Sequence, residues 1–326
     1  MTHVATLVCD PSFPSLTEAH VQQAIDVLPR PGQPEWLDKG VAVDIPFEPE
    51  EPADLRAFAD AGRAAMGAVA IDVIVQAAEG RRKKLLLADM DSTMIGQECV
   101  DELAALVGKK AFVAEITERA MRGEIAFEPA LRERVALLKG LHPDSVPRLI
   151  AKKITLTPGG RTLVQTMRSH GAHTALISGG FTVFTSVIAE KIGFHENQAN
   201  VLLLGEDGRF SGFVAEPVRG KEAKLEALRG LREKHSIAAR ETLAVGDGAN
   251  DLGMLQEAGL GVAFRAKPAV AAAAHARIDH ADLTALLYAQ GYRREEFFVE
   301  ARPQLNPSDW KRKYGAMEKA HERTRL

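Results

Sequence analysis

Three stretches of this chain hold residue types that do chemistry when brought together. In LLLADMDSTMIG, Asp89 ends an apolar run, Asp91 follows two positions later, and Thr93 two beyond that. In TLAVGDGANDLGM, a second apolar run ends at Asp247 between Gly246 and Gly248, and Asn250 and Asp251 open the stretch that follows. In TALISGGFTVF, Ser178 ends a third run and precedes Gly179 and Gly180. Carboxylates from the first two stretches would repel one another at close range, and a hard divalent cation with oxygen ligands is the simplest compensation. Main-chain N–H groups at a helix start, with a hydroxyl beside them, suit phosphate oxygens. The chemistry indicated is cation-assisted work on a phosphate.

Each stretch has a plainer reading by itself. Asp, Ser and Asn are common turn and helix-capping residues, and a Gly-Gly pair often makes a small loop without a ligand. What favours chemistry is that both acidic motifs fall at the ends of apolar runs. A cation from RGKEAKLEAL would help hold a phosphate, but spacing alone leaves Lys224 and Lys221 as alternatives.

Those residues need elements that make them converge. LLLAD at 85–89, HTALIS at 173–178, TLAVGD at 242–247 and GVAF at 261–264 are short apolar runs separated by helical stretches. That pattern predicts a mostly parallel sheet covered on both faces, with the site at the carboxyl ends of its strands. Between the first two runs, residues 98–157 are helical in pattern, with Val100, Leu103, Ala104 and Val107 at helical spacing before Gly108. This reads as a cap inserted over the site. NVLLLGEDGRFSGFVAEP at 200–217 predicts a hairpin around Asp207-Gly208.

Before that core, strands over 3–9, 41–47 and 71–76 alternate with helices over 16–28 and 52–66, making a small α/β unit in residues 1–80. Arg81, Arg82, Lys83 and Lys84 mark the boundary and read as a solvated edge. The core domain then spans 81–290, as 81–97 and 158–290 around the cap, and 291–326 form a charged tail with a possible helix after Ser308. The fold class is therefore α/β: a core with a mostly parallel sheet, a helical cap and a small appended domain.

Bulk properties narrow the partners. The chain has 326 residues, 46% hydrophobic and 26% charged, as expected of ordinary globular domains. A formal net charge of −3 offers no general attraction to nucleic acid or anionic membrane, so a small-molecule substrate fits best. Cys9 and Cys99 make neither a disulfide framework nor a paired zinc site, which suggests a reducing compartment. No run is apolar for long enough to span a bilayer, and the N-terminus lacks a secretory pattern. A cytoplasmic location is expected, and a homodimer is left open.

DMDST, the ISGG stretch, Lys224 and GDGANDLGM together resemble the four ordered motifs of the haloacid-dehalogenase superfamily, in its phosphatase branch. More narrowly, residues 84–290 are similar to the bacterial phosphoserine phosphatases, including the cap segments ECVDELA and AMRGEIAFEPALRERVALLKGL. The resemblance selects Lys224 over Lys221. It implies a Rossmann-like core under the inserted cap, Asp89 as nucleophile, Asp91 as general acid and base, and Mg2+ held by Asp89, the Asp91 carbonyl and Asp247. Phosphate contacts would come from Ser178, Gly179, Lys224 and Asn250, with Thr93, Gly180 and Asp251 in support. It also implies that Glu98 and Arg134 read an amino-acid substrate beside Met121 and Phe127, and that residues 1–80 are ACT-like. The implied reaction is hydrolysis of phosphoserine through an aspartyl phosphate, the last step of phosphorylated serine biosynthesis. Phosphohomoserine or a sugar phosphate is the alternative substrate; an amino-acid sensor with an inactive core is the alternative of another class.

Overall fold

The computed structural model describes residues 1–121 and 124–298, so the possible helix after Ser308 lies outside the described residues. The first unit runs β1 (His3–Cys9), α1 (Glu18–Ile25), β2 (Glu35–Asp38), β3 (Ala42–Phe47), α2 (Leu55–Met66) and β4 (Ile71–Ala77). Its sheet is antiparallel in the order β2-β3-β1-β4. Within this unit, the four-residue β2 is the element that the sequence pattern did not show. It follows a proline and buries only Leu37, so it lacks the alternation that marks a half-buried strand.

The two faces of this sheet meet different things. Ala5, Leu7, Val43, Ile45, Val73 and Val75 pack against the two helices. Val8, Ala42 and Ile74 face the other way and join the apolar core of the rest of the chain. Polar anchors cross the same seam. The buried Asp72 carboxylate accepts main-chain N–H groups of Asp279, His280 and Ala281 at 2.8, 3.1 and 2.8 Å, and Gln76 Nε2 donates to the Ala289 carbonyl at 2.7 Å.

The basic run is a solvated edge only at Arg82 and Lys84, which are exposed; the other two residues turn inward. Arg81 pairs with buried Asp44 at 2.6 Å, while Lys83 is buried and donates to the Arg240 carbonyl at 2.8 Å. Burying an unpaired cation is costly, and these partners offset that cost.

The core continues with β5 (Leu85–Ala88), α3 (Cys99–Leu106), α4 (Lys110–Met121), α5 (Phe127–Ala136), α6 (Ser145–Lys153) and α7 (Gly160–Ser169). Next come β6 (His173–Phe181), α8 (Thr182–Ile192), β7 (Glu196–Asn200), β8 (Leu202–Leu204), β9 (Phe210–Val214) and α9 (Lys221–Lys234). It closes with β10 (Thr242–Gly246), α10 (Leu252–Glu257), β11 (Leu260–Phe264), α11 (Pro268–Ala273), β12 (Ala276–Ile278) and α12 (Ala285–Ala289).

Six strands form a parallel sheet in the order β12-β11-β10-β5-β6-β7. Leu86, Ala88, Leu176 and Val245 fill one face, and Leu85, Leu87, Ala175 and Ala244 the other, as continuous apolar strands require. Strand order reverses beside β5, which opens a crevice at its carboxyl end. Strands β8 and β9 form an antiparallel hairpin.

Helices α3–α6 lie between β5 and β6. The two segments that lead into and out of them are paired: Gly96 N–H donates to the Thr155 carbonyl and Thr157 N–H to the Met94 carbonyl, both at 3.0 Å. Gln97 and Thr155 add two side-chain bonds at 2.9 and 2.8 Å. The helical insertion is therefore attached through a small double-stranded neck. Among the described residues, no helix is long and apolar enough to cross a membrane.

Candidate active site

Asp89 lies one residue past β5, and its N–H still bonds to the Val245 carbonyl of β10 at 3.0 Å. That bond fixes the carboxylate at the carboxyl end of the sheet. The chain then makes a wide turn over Met90–Met94, closed by Ile95 N–H on the Met90 carbonyl at 3.0 Å. Ser92 takes a left-handed φ of 55° within it. The turn brings Asp91 back over the crevice, where its Oδ1 accepts the Cys99 N–H at the start of α3 at 3.0 Å.

From β6, Ser178 Oγ lies 3.5 Å from Asp91 Oδ2 and accepts the Gly180 N–H at 2.9 Å. From α9, Lys224 Nζ reaches Asp89 Oδ1 at 2.6 Å and Asp251 Oδ1 at 2.5 Å. Thr93 donates to Asp247 Oδ1 at 3.1 Å, and Asp251 Oδ2 accepts the Gly248 N–H at 3.0 Å. The side chain of Asn250 folds back against Gly248. Residues from four distant stretches thus meet at the ends of β5, β6 and β10.

Carboxylate oxygens of Asp89, Asp247 and Asp251 lie within 4.8 Å of one another. Burial, then repulsion from Asp251, holds the Asp89 carboxyl well above its usual range, with Lys224 opposing. Asp247 is pushed up to about 6 by burial and then by Asp251. Asp91 is pushed up to about 7 by burial and then by Glu98. Burial opposes the charge on Lys224, but Asp251 and Asp89 outweigh it and keep the ammonium charged. This all-oxygen set with excess negative charge fits a hard divalent cation. Asp251 is already held by Lys224 and Gly248, which leaves Asp89 and Asp247 as the available carboxylates.

The helical insertion adds the rest. Glu98, at the N-terminus of α3, accepts from Ser92 Oγ at 2.7 Å. Arg134 on α5 is buried, donating from Nε to the Ala130 carbonyl and from Nη1 to Thr117 Oγ1, both at 3.1 Å. Phe127 lies over the glycine loop, and a Cβ built on Gly179 would sit 3.2 Å from its Cζ. That contact explains a glycine there by close approach, independent of any turn requirement. Met121 closes α4, and its side chain lies outside the described residues.

Two residues escaped the sequence reading. Asn200, at the end of β7, is buried; its Nδ2 donates to the carbonyls of Gly179 and Arg219 at 2.9 and 3.1 Å, and its Oδ1 accepts the Arg219 N–H at 2.7 Å. It joins the glycine loop to the segment leading into α9. Asp101 has a buried Oδ1 with no hydrogen-bond partner among the described residues, close enough to Arg134 to interact electrostatically. One asparagine in a strand and one acid in a helix's first turn carry no distinguishing sequence signal.

The parallel sheet and the acidic crevice at its switch point define a hydrolase on a Rossmann-like core. The chain belongs to the haloacid dehalogenase-like hydrolase family, whose pattern matches residues 86–256. It is similar to a phosphoserine phosphatase of Streptomyces coelicolor, with 41% identity over 264 residues covering 81% of this chain and 63% of that one. It therefore spans under two thirds of that relative's length. A phosphoserine phosphatase of a Polaromonas species is 44% identical over 209 residues, 63% of this chain and 88% of that one. Among solved structures, the phospho-aspartyl intermediate analogue of a phosphoserine phosphatase superposes with a TM-score of 0.59 at 39% identity, covering 64% of this chain and 98% of that one.

Proposed function

We propose that this chain is a Mg2+-dependent phosphoserine phosphatase working through a phosphoaspartate on Asp89. The observation that carries the reading is the buried meeting of Asp89, Asp91, Ser178 and Lys224, with Lys224 Nζ 2.6 Å from Asp89. Asp89 attacks phosphorus as the ester bond to the serine oxygen breaks, and Asp91 gives that oxygen its proton. A water then attacks the phosphoaspartate, loses a proton to Asp91, and releases phosphate and free Asp89. A carboxyl held near 7 is suited to both transfers at neutral pH.

Asp89, the Asp91 carbonyl and Asp247 would hold Mg2+, which supplies charge neutralisation between the nucleophile and the phosphate. Lys224, Ser178, the Gly179 N–H and Asn250 hold phosphate oxygens, supported by Thr93, Gly180 and Asp251. The requirement for a proton on the leaving group separates this chemistry from dehalogenation, in which halide leaves unprotonated.

Substrate choice rests on the cap. Phosphoserine carries a carboxylate and an ammonium, and Arg134 and Glu98 supply one group of each opposite sign. Phe127 lines the apolar side, and the family resemblance assigns Met121 to it as well. Residues 1–80 form the ACT-like unit of this reading, with the βαββαβ order and antiparallel sheet in its support. The buried free thiols of Cys9 and Cys99 support a cytoplasmic setting.

The test is phosphate release from phosphoserine and phosphoethanolamine, with Mg2+ and with a chelator. Arg134→Ala should lower kcat/KM for phosphoserine by about 10- to 1000-fold and leave phosphoethanolamine nearly unchanged. Equal loss for both substrates would show that Arg134 does not read the carboxylate. Labelled phosphate trapped on a residue other than Asp89 would remove the mechanism.

A further inference from the structure

At the opposite ends of the central strands lies a cluster that the proposed reaction does not use. His173 opens β6, His195 and Glu196 lie at the start of β7, and His235 follows the last residue of α9. The His173 ring is stacked between two others, 4.8 Å from His195 at 12° and 4.1 Å from His235 at 28°. His173 Nε2 and Glu196 Oε1 are 2.7 Å apart. One ligand atom each from His173, Glu196 and His235 falls within 4.8 Å of the others.

We infer that His173, Glu196 and His235 form a second metal site, selective for a divalent transition metal such as Zn2+ over Mg2+. The donor set decides the class: imidazole nitrogens with one carboxylate suit zinc and its neighbours, whereas Mg2+ takes oxygen ligands. Three protein ligands with water in the fourth position make a common zinc arrangement. Zinc bonds of about 2.0–2.2 Å bring ligand atoms to within roughly 3.5 Å of each other, so the cluster must contract slightly. The hydrogen-bonded pair must instead open a little as its shared proton leaves.

The His173–Glu196 pair is half-buried and moves little; the larger movements fall on exposed groups. His235 is exposed at a helix end and turns its ring out of the stack. Lys234, 3.4 Å from Glu196 and largely exposed, yields to the metal. His195 is the fixed wall of the site: its Nδ1 accepts the Thr174 N–H at 3.2 Å, and its ring backs His173. A bound ion ties β6 and β7 to the last turn of α9, the helix that carries Lys224 in its first turn.

The experiment uses the full, tag-free chain with excess Mg2+, titrated with Zn2+ against a chromophoric chelator. One equivalent should bind, raise the thermal midpoint, and give a visible absorption band when Co2+ replaces it. His235→Ala and Glu196→Gln should each weaken binding at least about tenfold and abolish the thermal shift. Asp247→Asn should leave binding intact. The site is overturned if no Zn2+ binds, if both cluster variants bind as the parent does, or if binding is lost in Asp247→Asn instead.

Discussion

Asp251 is the sharpest test of how the catalytic crevice is held together. Its two oxygens accept different donors, Lys224 Nζ at 2.5 Å and the Gly248 N–H at 3.0 Å, and the side chain is fully buried. Asp251→Asn keeps the shape but leaves only one acceptor. Whichever way the amide lies, its NH2 must face a donor, and facing the backbone N–H is the less costly choice. The Gly248 amide then loses its partner, at about 1–3 kcal/mol for a buried polar group. The bond to Lys224 also loses its charge on one side, costing about 1–2 kcal/mol more.

Against this, removing a carboxylate relieves repulsion on Asp89 and Asp247, both of which Asp251 pushes upward. The net destabilisation should be about 1–3 kcal/mol, within the usual range for a single substitution. The functional effect should be larger than that loss suggests, because Gly248 adjoins Asp247 and Lys224 is held on two sides. We expect kcat to fall about 10- to 100-fold, or roughly 1.4–2.8 kcal/mol of barrier, with little change in KM. Phosphate release at saturating phosphoserine and Mg2+, paired with denaturant unfolding, reads both. A folded variant with kcat within about twofold of the parent would refute Asp251 as the group that positions Lys224 and the Gly248 turn.

Asp91→Asn should lower phosphoserine turnover by about 10²–10⁴-fold and spare the aspartylation step for an ester whose leaving group needs no proton; burst kinetics on both esters checks this. Asn200→Asp would set a carboxylate against the Gly179 and Arg219 carbonyls, and should cost about 1–3 kcal/mol of stability together with a fall in kcat. Gly179→Ala places a methyl 3.2 Å from Phe127, and should raise KM, with partial rescue by Phe127→Leu in steady-state assays. Asp72→Ala leaves three N–H groups of the seam without their acceptor and should cost about 2–4 kcal/mol in unfolding experiments, while turnover per folded molecule is retained.

Local pattern was enough for four of the six strands of the parallel sheet, β5, β6, β10 and β11. Runs such as LLLAD and TLAVGD are apolar on successive residues because both strand faces are covered, and their polar ends mark where the covering stops. The acidic motifs could be read for the same reason: a carboxylate directly after a buried strand stands out by position as well as type. Short or mixed elements were not readable. β2 buries one residue, and β7 carries the polar ENQAN because the partners that satisfy it, Thr185 for Asn197 and His173 for Glu196, come from elsewhere in the chain.

Tertiary contacts decided the rest. Arg81 and Lys83 have the sequence of a solvated run, yet Asp44 and the Arg240 carbonyl take them into a buried seam. Lys224 and Lys221 are equivalent as letters, but the fold buries Lys224 between two carboxylates and leaves Lys221 exposed beside Glu222. Asn200 is one polar residue among many until its amide meets two loops. A side chain's charge and shape are written in the sequence, but its role depends on which donors and acceptors reach it, and that is set by segments far away along the chain.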